Sequence, residues 1–216
     1  MKIRIKICGL TNPEDIQSCY RAGADAIGIN MIPSSPRYVP VQKIPQLCQD
    51  CPPFLSLVGL WPQQHFRQVT AQAYQLGISE IQWYGNWEEA VLSYPFRILF
   101  VLRLREENQL KSWFDHWQNG LNIGLRAAGV VVDSYTAGEL GGSGIPAPWE
   151  LLAKYRDQFR IPLILAGGLT PQNVAEAIRI VQPDGVDVAS GVESSPGKKD
   201  PDKLNRFVDE VYKANR

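Results

Sequence analysis

The stretch PLILAGGLTPQNVAEAIRIVQPDGVDVASG, residues 162–191, holds one complete cycle of strand, turn, helix, turn and strand. Its first run, Leu163-Ile164-Leu165, is apolar without alternation and stops at Gly167-Gly168. Such runs fit parallel strands buried on both faces. Thr170-Pro171-Gln172-Asn173 then reads as a helix start, with a capping side chain and a proline in the first turn. The helix is expected over residues 174–181, and a second short strand runs through GVDVASG to Ser190-Gly191.

The same cycle recurs outward from this stretch. Asn12-Pro13-Glu14-Asp15 has a capping residue, a proline and two early acids, and Gly23 is placed to stop the helix that follows. Asp200-Pro201-Asp202 starts another, over residues 203–213. Further strands are expected at 3–9, 26–31, 54–61, 80–85, 97–104 and 128–134, and further helices at 41–49, 63–76, 88–93, 106–118 and 148–159. Eight strands alternating with eight helices imply a parallel sheet with right-handed crossovers. The expected fold is α/β, a (β/α)8 TIM barrel, as one compact domain over residues 1–216. Eight units share the 216 residues at about 27 each, below the usual barrel length. An open doubly wound sheet is the alternative, but its glycine-rich GxGxxG turn is missing: the first strand ends in Cys8-Gly9-Leu10-Thr11.

Composition narrows the function classes. The 22 basic and 22 acidic side chains cancel, which argues against nucleic acid as the main partner. No apolar run approaches the ~18 residues of a membrane span, and the N-terminus alternates charge with Ile instead of carrying a signal-peptide block. A cytoplasmic protein without a membrane partner is expected, as a monomer or a homodimer. Cys48 and Cys51 form a C-x-x-C pair, but no second pair completes a zinc site, and His65 and His116 lie far apart. The two thiols read as ordinary ones at a helix end before Pro52-Pro53. No metal site is expected.

A barrel of this kind carries its chemistry at the C-terminal ends of its strands. Cys8 ends the first strand, where a thiol of lowered pKa can serve as base or nucleophile and where a small buried side chain is the plainer reading. After the second strand, Pro33 and Pro36 stiffen a loop that presents Arg37, suited to bidentate capture of a carboxylate or phosphate. Asp133 ends the sixth strand after three valines, a place where partial burial favours general-acid work. Gly141-Gly142-Ser143-Gly144, Gly167-Gly168 and Ser190-Gly191 follow three adjacent late strands, where backbone N–H groups can approach a phosphate. Six tryptophans are many for the length; Trp61 and Trp83, near strand ends, are candidates for an aromatic pocket, and packing is the default for all six.

Taken together, KICGLT from Lys6, GADAIG from Gly23, SPRYV from Ser35, Asp133 before GGSG, AGGLTPQNV from Ala166, and VDVASGVE with PGKKD from Val186 resemble the phosphoribosylanthranilate isomerase family from first strand to last helix. The resemblance implies an Amadori rearrangement of N-(5′-phosphoribosyl)anthranilate to 1-(2-carboxyphenylamino)-1-deoxyribulose 5-phosphate in tryptophan biosynthesis, with no cofactor. By the same resemblance Asp133 is the general acid that opens the ring and Cys8 the base that removes the C2′ proton. Arg37 would hold the anthranilate carboxylate, and the three glycine loops the phosphate. The chain departs from the family pattern in three places: Trp83-Tyr84 replaces Leu-His, Asn30 stands among expected aromatics, and Ala189 replaces a serine. Two other readings are kept: an isomerase of a related phosphosugar, and a non-catalytic sugar-phosphate binding protein with Trp113–Trp117 as an interaction face.

Overall fold

A computed structural model describes residues 2–62, 65–85, 96–122, 127–134 and 148–215. Eight parallel strands close into a barrel in chain order. They are β1 (Arg4–Cys8), β2 (Ala26–Asn30), β3 (Ser56–Leu60), β4 (Glu80–Trp83), β5 (Arg97–Leu104), β6 (Gly129–Ser134), β7 (Leu163–Leu165) and β8 (Gly185–Val188). Closure is made between β1 and β8, with Lys6 opposite Asp187. Around the barrel lie α1 (Pro13–Ala22), α2 (Ile44–Leu47), α3 (Phe66–Gln75), α4 (Glu107–Asn122), α5 (Trp149–Tyr155), α6 (Val174–Val181) and α7 (Pro201–Ala214). The helix expected over 88–93 lies outside the described residues. None of the helices is long and apolar enough to cross a membrane, among the described residues.

The local signals act as physical chemistry dictates. Asn12 accepts from the Asp15 N–H at 2.8 Å, and Gly23 ends α1 in the left-handed region at φ 99°. Asp200 caps α7 by accepting from the Asp202 and Lys203 N–H groups. At α6 the expectation needs correction. Thr170 does not cap it; the Thr170 N–H donates to Asn173 Oδ1, and residues 170–173 form a turn before the helix begins at Val174. Residues 41–49 form a short 3-10 turn and then α2 instead of one long helix. A hairpin of β9 (Glu193–Ser195) and β10 (Lys198–Lys199), unforeseen in the sequence, follows β8.

Alternation along each strand divides the apolar residues into two cores. Ile5, Ile7, Ile27, Ile29, Val130, Val132, Leu163 and Leu165 pack outward against the helices. Cys8, Val58, Leu60, Leu99, Val131 and Ala166 fill the barrel itself. Trp61 and Trp83 belong to the outer core, so neither forms part of an aromatic pocket at the mouth. Trp83 meets Phe66 edge-on at 5.1 Å, and Trp61 Nε1 donates to Gln72 Oε1 at 2.9 Å. Trp113 stacks on Trp117 at 5.2 Å, and Trp117 meets Phe100 of β5 at 5.7 Å. That aromatic cluster therefore docks α4 on the barrel instead of offering the suggested interaction face.

Candidate active site

The C-terminal ends of the strands enclose one cleft, and the candidates converge on it. Cys8, Arg37, Asp133, Gly167, Gly168 and Ser190 all line its wall. Gly191 follows Ser190 without lining the cleft itself, and a β-carbon there would lie 1.9 Å from the Leu169 carbonyl oxygen. Residues 141–144, the GGSG loop, lie outside the described residues. Cys8 enters from β1 and Asp133 from β6, with β7 and β8 between them. Gly167 and Gly168 turn the chain at φ 83° and 63°.

Four charged residues that the sequence reading passed over complete the site. Beneath Cys8, Lys6 Nζ donates to Asp187 Oδ2 at 2.8 Å, and both side chains are more than nine-tenths buried. Burial alone would lower the Lys6 ammonium, but the charges of Asp187 and Cys8 turn it upward, so it stays cationic. Burial pushes the Cys8 thiol up, and the Lys6 ammonium is the strongest influence opposing this. The signal for Lys6 was available: it stands two residues before Cys8 on one strand and so faces the same side.

The second pair holds the arginine. Arg37 is buried, and its Nε and Nη2 donate to Glu193 Oε1 and Oε2 at 2.9 and 2.7 Å. This fork uses two of the five guanidinium N–H donors and leaves three, on Nη1 and Nη2, for other partners. The arginine stem crosses Gly9, which has φ 78°; a β-carbon there would lie 2.3 Å from Arg37 Cδ. Lys199 Nζ donates to Glu193 Oε1 at 2.8 Å and to the Cys8 carbonyl at 2.7 Å, tying the hairpin to β1. Burial would raise the Glu193 carboxyl, yet the hydrogen bonds from Arg37 and the charge of Lys199 hold it below the usual range. The Arg37 loop is fixed from below by Asn30, whose Nδ2 donates to Ser35 Oγ at 3.0 Å and whose Oδ1 accepts from the Ile32 N–H at 2.8 Å. Asn30 is thus committed to the loop.

Tyr84 completes the rim on the β4 side. Its hydroxyl accepts from Gln82 Nε2 at 2.9 Å, and the Arg103 guanidinium lies 5.3 Å from its ring centre. Burial drives its phenol far upward, so it remains protonated. Two buried acceptors at the cleft, Gln82 Oε1 and Asp187 Oδ1, have no hydrogen-bond partner among the described residues. Buried acceptors are ordinarily satisfied, which makes these two candidates for bonding to a bound molecule. The cleft thus offers a thiol, a carboxylate, a braced guanidinium, unfilled acceptors and glycine turns.

Known proteins resemble this chain in sequence and in fold. Residues 5–210 match the family model described as N-(5′-phosphoribosyl)anthranilate (PRA) isomerase. The N-(5′-phosphoribosyl)anthranilate isomerase of Neisseria meningitidis serogroup A is 37% identical over 216 residues, covering 100% of this chain and 99% of its own. The crystal structure of phosphoribosyl anthranilate isomerase from Thermotoga maritima superposes with a TM-score of 0.83 at 29% identity, over 98% of this chain and 99% of that one. A structure of the enzyme in complex with reduced 1-(o-carboxyphenylamino)-1-deoxyribulose 5-phosphate superposes at 0.81 with 28% identity, over the same shares. With a full-length match in sequence and in fold, this chain belongs to the phosphoribosylanthranilate isomerase family of tryptophan biosynthesis.

Proposed function

We propose that Cys8 and Asp133 are the base and the acid with which this chain isomerises N-(5′-phosphoribosyl)anthranilate. The observation that carries the assignment is their position on one cleft from two separate strands, β1 and β6. Asp133 gives a proton to the ring oxygen, the bond from that oxygen to C1′ breaks, and a protonated Schiff base is left on the anthranilate nitrogen. The Cys8 thiolate then takes the C2′ proton, and the freed electron pair neutralises the iminium nitrogen to give an enolamine. Tautomerisation of the enolamine yields the ketose. General acid and base groups of this kind contribute about 10²–10⁴-fold each.

The binding groups fit the two anionic ends of the substrate. Arg37 Nη1 meets the anthranilate carboxylate, with Glu193 fixing the plane of the fork. Gly167, Gly168, Ser190 and Gly191, with Gly141, Gly142, Ser143 and Gly144, hold the phosphate by backbone N–H groups. Asp187 Oδ1 and Gln82 Oε1 accept from sugar hydroxyls. The test is complementation of a tryptophan auxotroph that lacks this isomerase. The wild-type chain should restore growth, and Cys8→Ala and Asp133→Asn should not. Growth with both variants at the wild-type rate would refute the assignment.

A further inference from the structure

Cys8 is faced by ionisable groups from all around the mouth: Lys6 on its own strand, Asp187 on β8, Lys199 on β10, Arg37 after β2, Asp133 on β6 and Tyr84 after β4. Two of the three cations are already committed. Lys199 Nζ is enclosed by Cys8 O at 2.7 Å, Glu193 Oε1 at 2.8 Å and Ala189 O at 3.3 Å. Arg37 spends two nitrogens on Glu193.

Lys6 differs. An ammonium has three donors, and Lys6 meets one oxygen acceptor among the described residues, Asp187 Oδ2. The ammonium also lies within electrostatic reach of Cys8. On the neighbouring strand Gly28 stands in register with Cys8. A β-carbon at Gly28 would lie 2.7 Å from Cys8 Sγ and 3.2 Å from Lys6 Nζ, so the bare glycine lets sulfur and ammonium share one small space. Burial and Asp187 both disfavour a thiolate in that space, and Lys6 opposes them more strongly than any other neighbour.

We propose that Lys6 is a positioning residue for the base: its ammonium, anchored on Asp187 and lying over Gly28, offsets part of the burial that opposes ionisation of Cys8 and so favours the thiolate that accepts the C2′ proton. The inference rests on the reading of Cys8 as the base. When the proton moves, the C2′–H bond breaks and an S–H bond forms. The electron pair closes the C1′=C2′ bond, and Lys6 and Asp187 keep their own protonation states. Lys6 acts on the reaction through the sulfur alone.

The test is the pH dependence of Cys8 alkylation by iodoacetamide, read on the Cys8 peptide by mass spectrometry, alongside the pH profile of kcat. In a folded Lys6→Met variant both midpoints should rise by about one pH unit or more, which is about tenfold less thiolate at neutral pH. Its kcat should fall by the same factor and recover toward higher pH, with KM little changed, and Lys6→Arg should restore the wild-type profile. A structural role alone would lower Tm and leave the profile in place, and that result overturns the proposal. If Lys6→Met does not fold, Lys6→Met/Asp187→Asn removes both charges. The alkylation midpoint should still rise, and an unchanged or lowered one overturns the proposal. Full activity in Cys8→Ala would refute the base assignment itself. An inactive Cys8→Ala beside an unshifted Lys6→Met profile would refute only the role of Lys6.

Discussion

The barrel carries ion pairs at both of its ends, and the two sets are built differently. At the N-terminal ends of the strands, Arg4 meets Asp25 at 2.7 Å and Arg97 meets Glu80 at 3.5 Å, with both arginine side chains more than two-thirds exposed. At the catalytic end, Arg37, Glu193, Lys199, Lys6 and Asp187 have side chains no more than a tenth exposed. Exposed pairs contribute little and are screened by salt. Buried pairs cost desolvation, and a similar-sized apolar core is often as stable. The buried set is therefore best understood through what it holds in place: a guanidinium aimed into the cleft and a cation beside a thiol.

That contrast can be broken from either side. The largest effect is expected at the reacting groups, where Cys8→Ala should cut kcat by about 10²–10⁴-fold with Tm close to wild type, checked by steady-state kinetics and thermal melts. Next is Glu193→Ala, which strands Arg37 and Lys199 together. Loss of one partner of a buried pair costs about 3–5 kcal/mol, measured by urea denaturation, and KM should rise as the Arg37 fork loses its plane.

The pH dependence of the same residue sharpens the comparison. Because the Glu193 carboxyl is held below its ordinary range, its contribution to stability is fully present above about pH 5 and is lost as pH falls through the depressed native value. The Tm gap between wild type and Glu193→Gln should therefore close on acidification and stay constant from neutral pH upward. The smallest effect is expected at the opposite end, where Arg4→Ala should cost less than about 1 kcal/mol and leave kcat unchanged. A loss there as large as that of Glu193→Ala would erase the distinction between the two ends.

How far the amino-acid order reveals this arrangement depends on the range of each interaction. The barrel is readable because its signals are local: apolar runs, Asn12 and Asp200 as caps, and Gly23 as a stop. Cys8, Arg37 and Asp133 are readable because the fold places strand ends at one mouth. The pairs that support them are not local. Lys6 and Asp187 are 181 residues apart, and Arg37 and Glu193 are 156 apart, so spacing carries no sign of either contact. Trp83 shows the converse error. Closeness to a strand end suggested the cleft, whereas alternation sends Gln82 and Tyr84 inward and Trp83 out to Phe66. Asn30, an oddity among apolar neighbours, has its reason in a contact only five residues away, with Ser35.

The most direct test of the account is turnover of N-(5′-phosphoribosyl)anthranilate by the purified chain, followed by loss of its fluorescence, beside the Asp133→Asn variant under the same conditions. Rapid loss is expected with wild type. With Asp133→Asn the rate should be lower by about 10²–10⁴-fold, while reduced 1-(2-carboxyphenylamino)-1-deoxyribulose 5-phosphate still binds. Turnover by Asp133→Asn at the wild-type rate, or no turnover by wild type above background, would contradict the account.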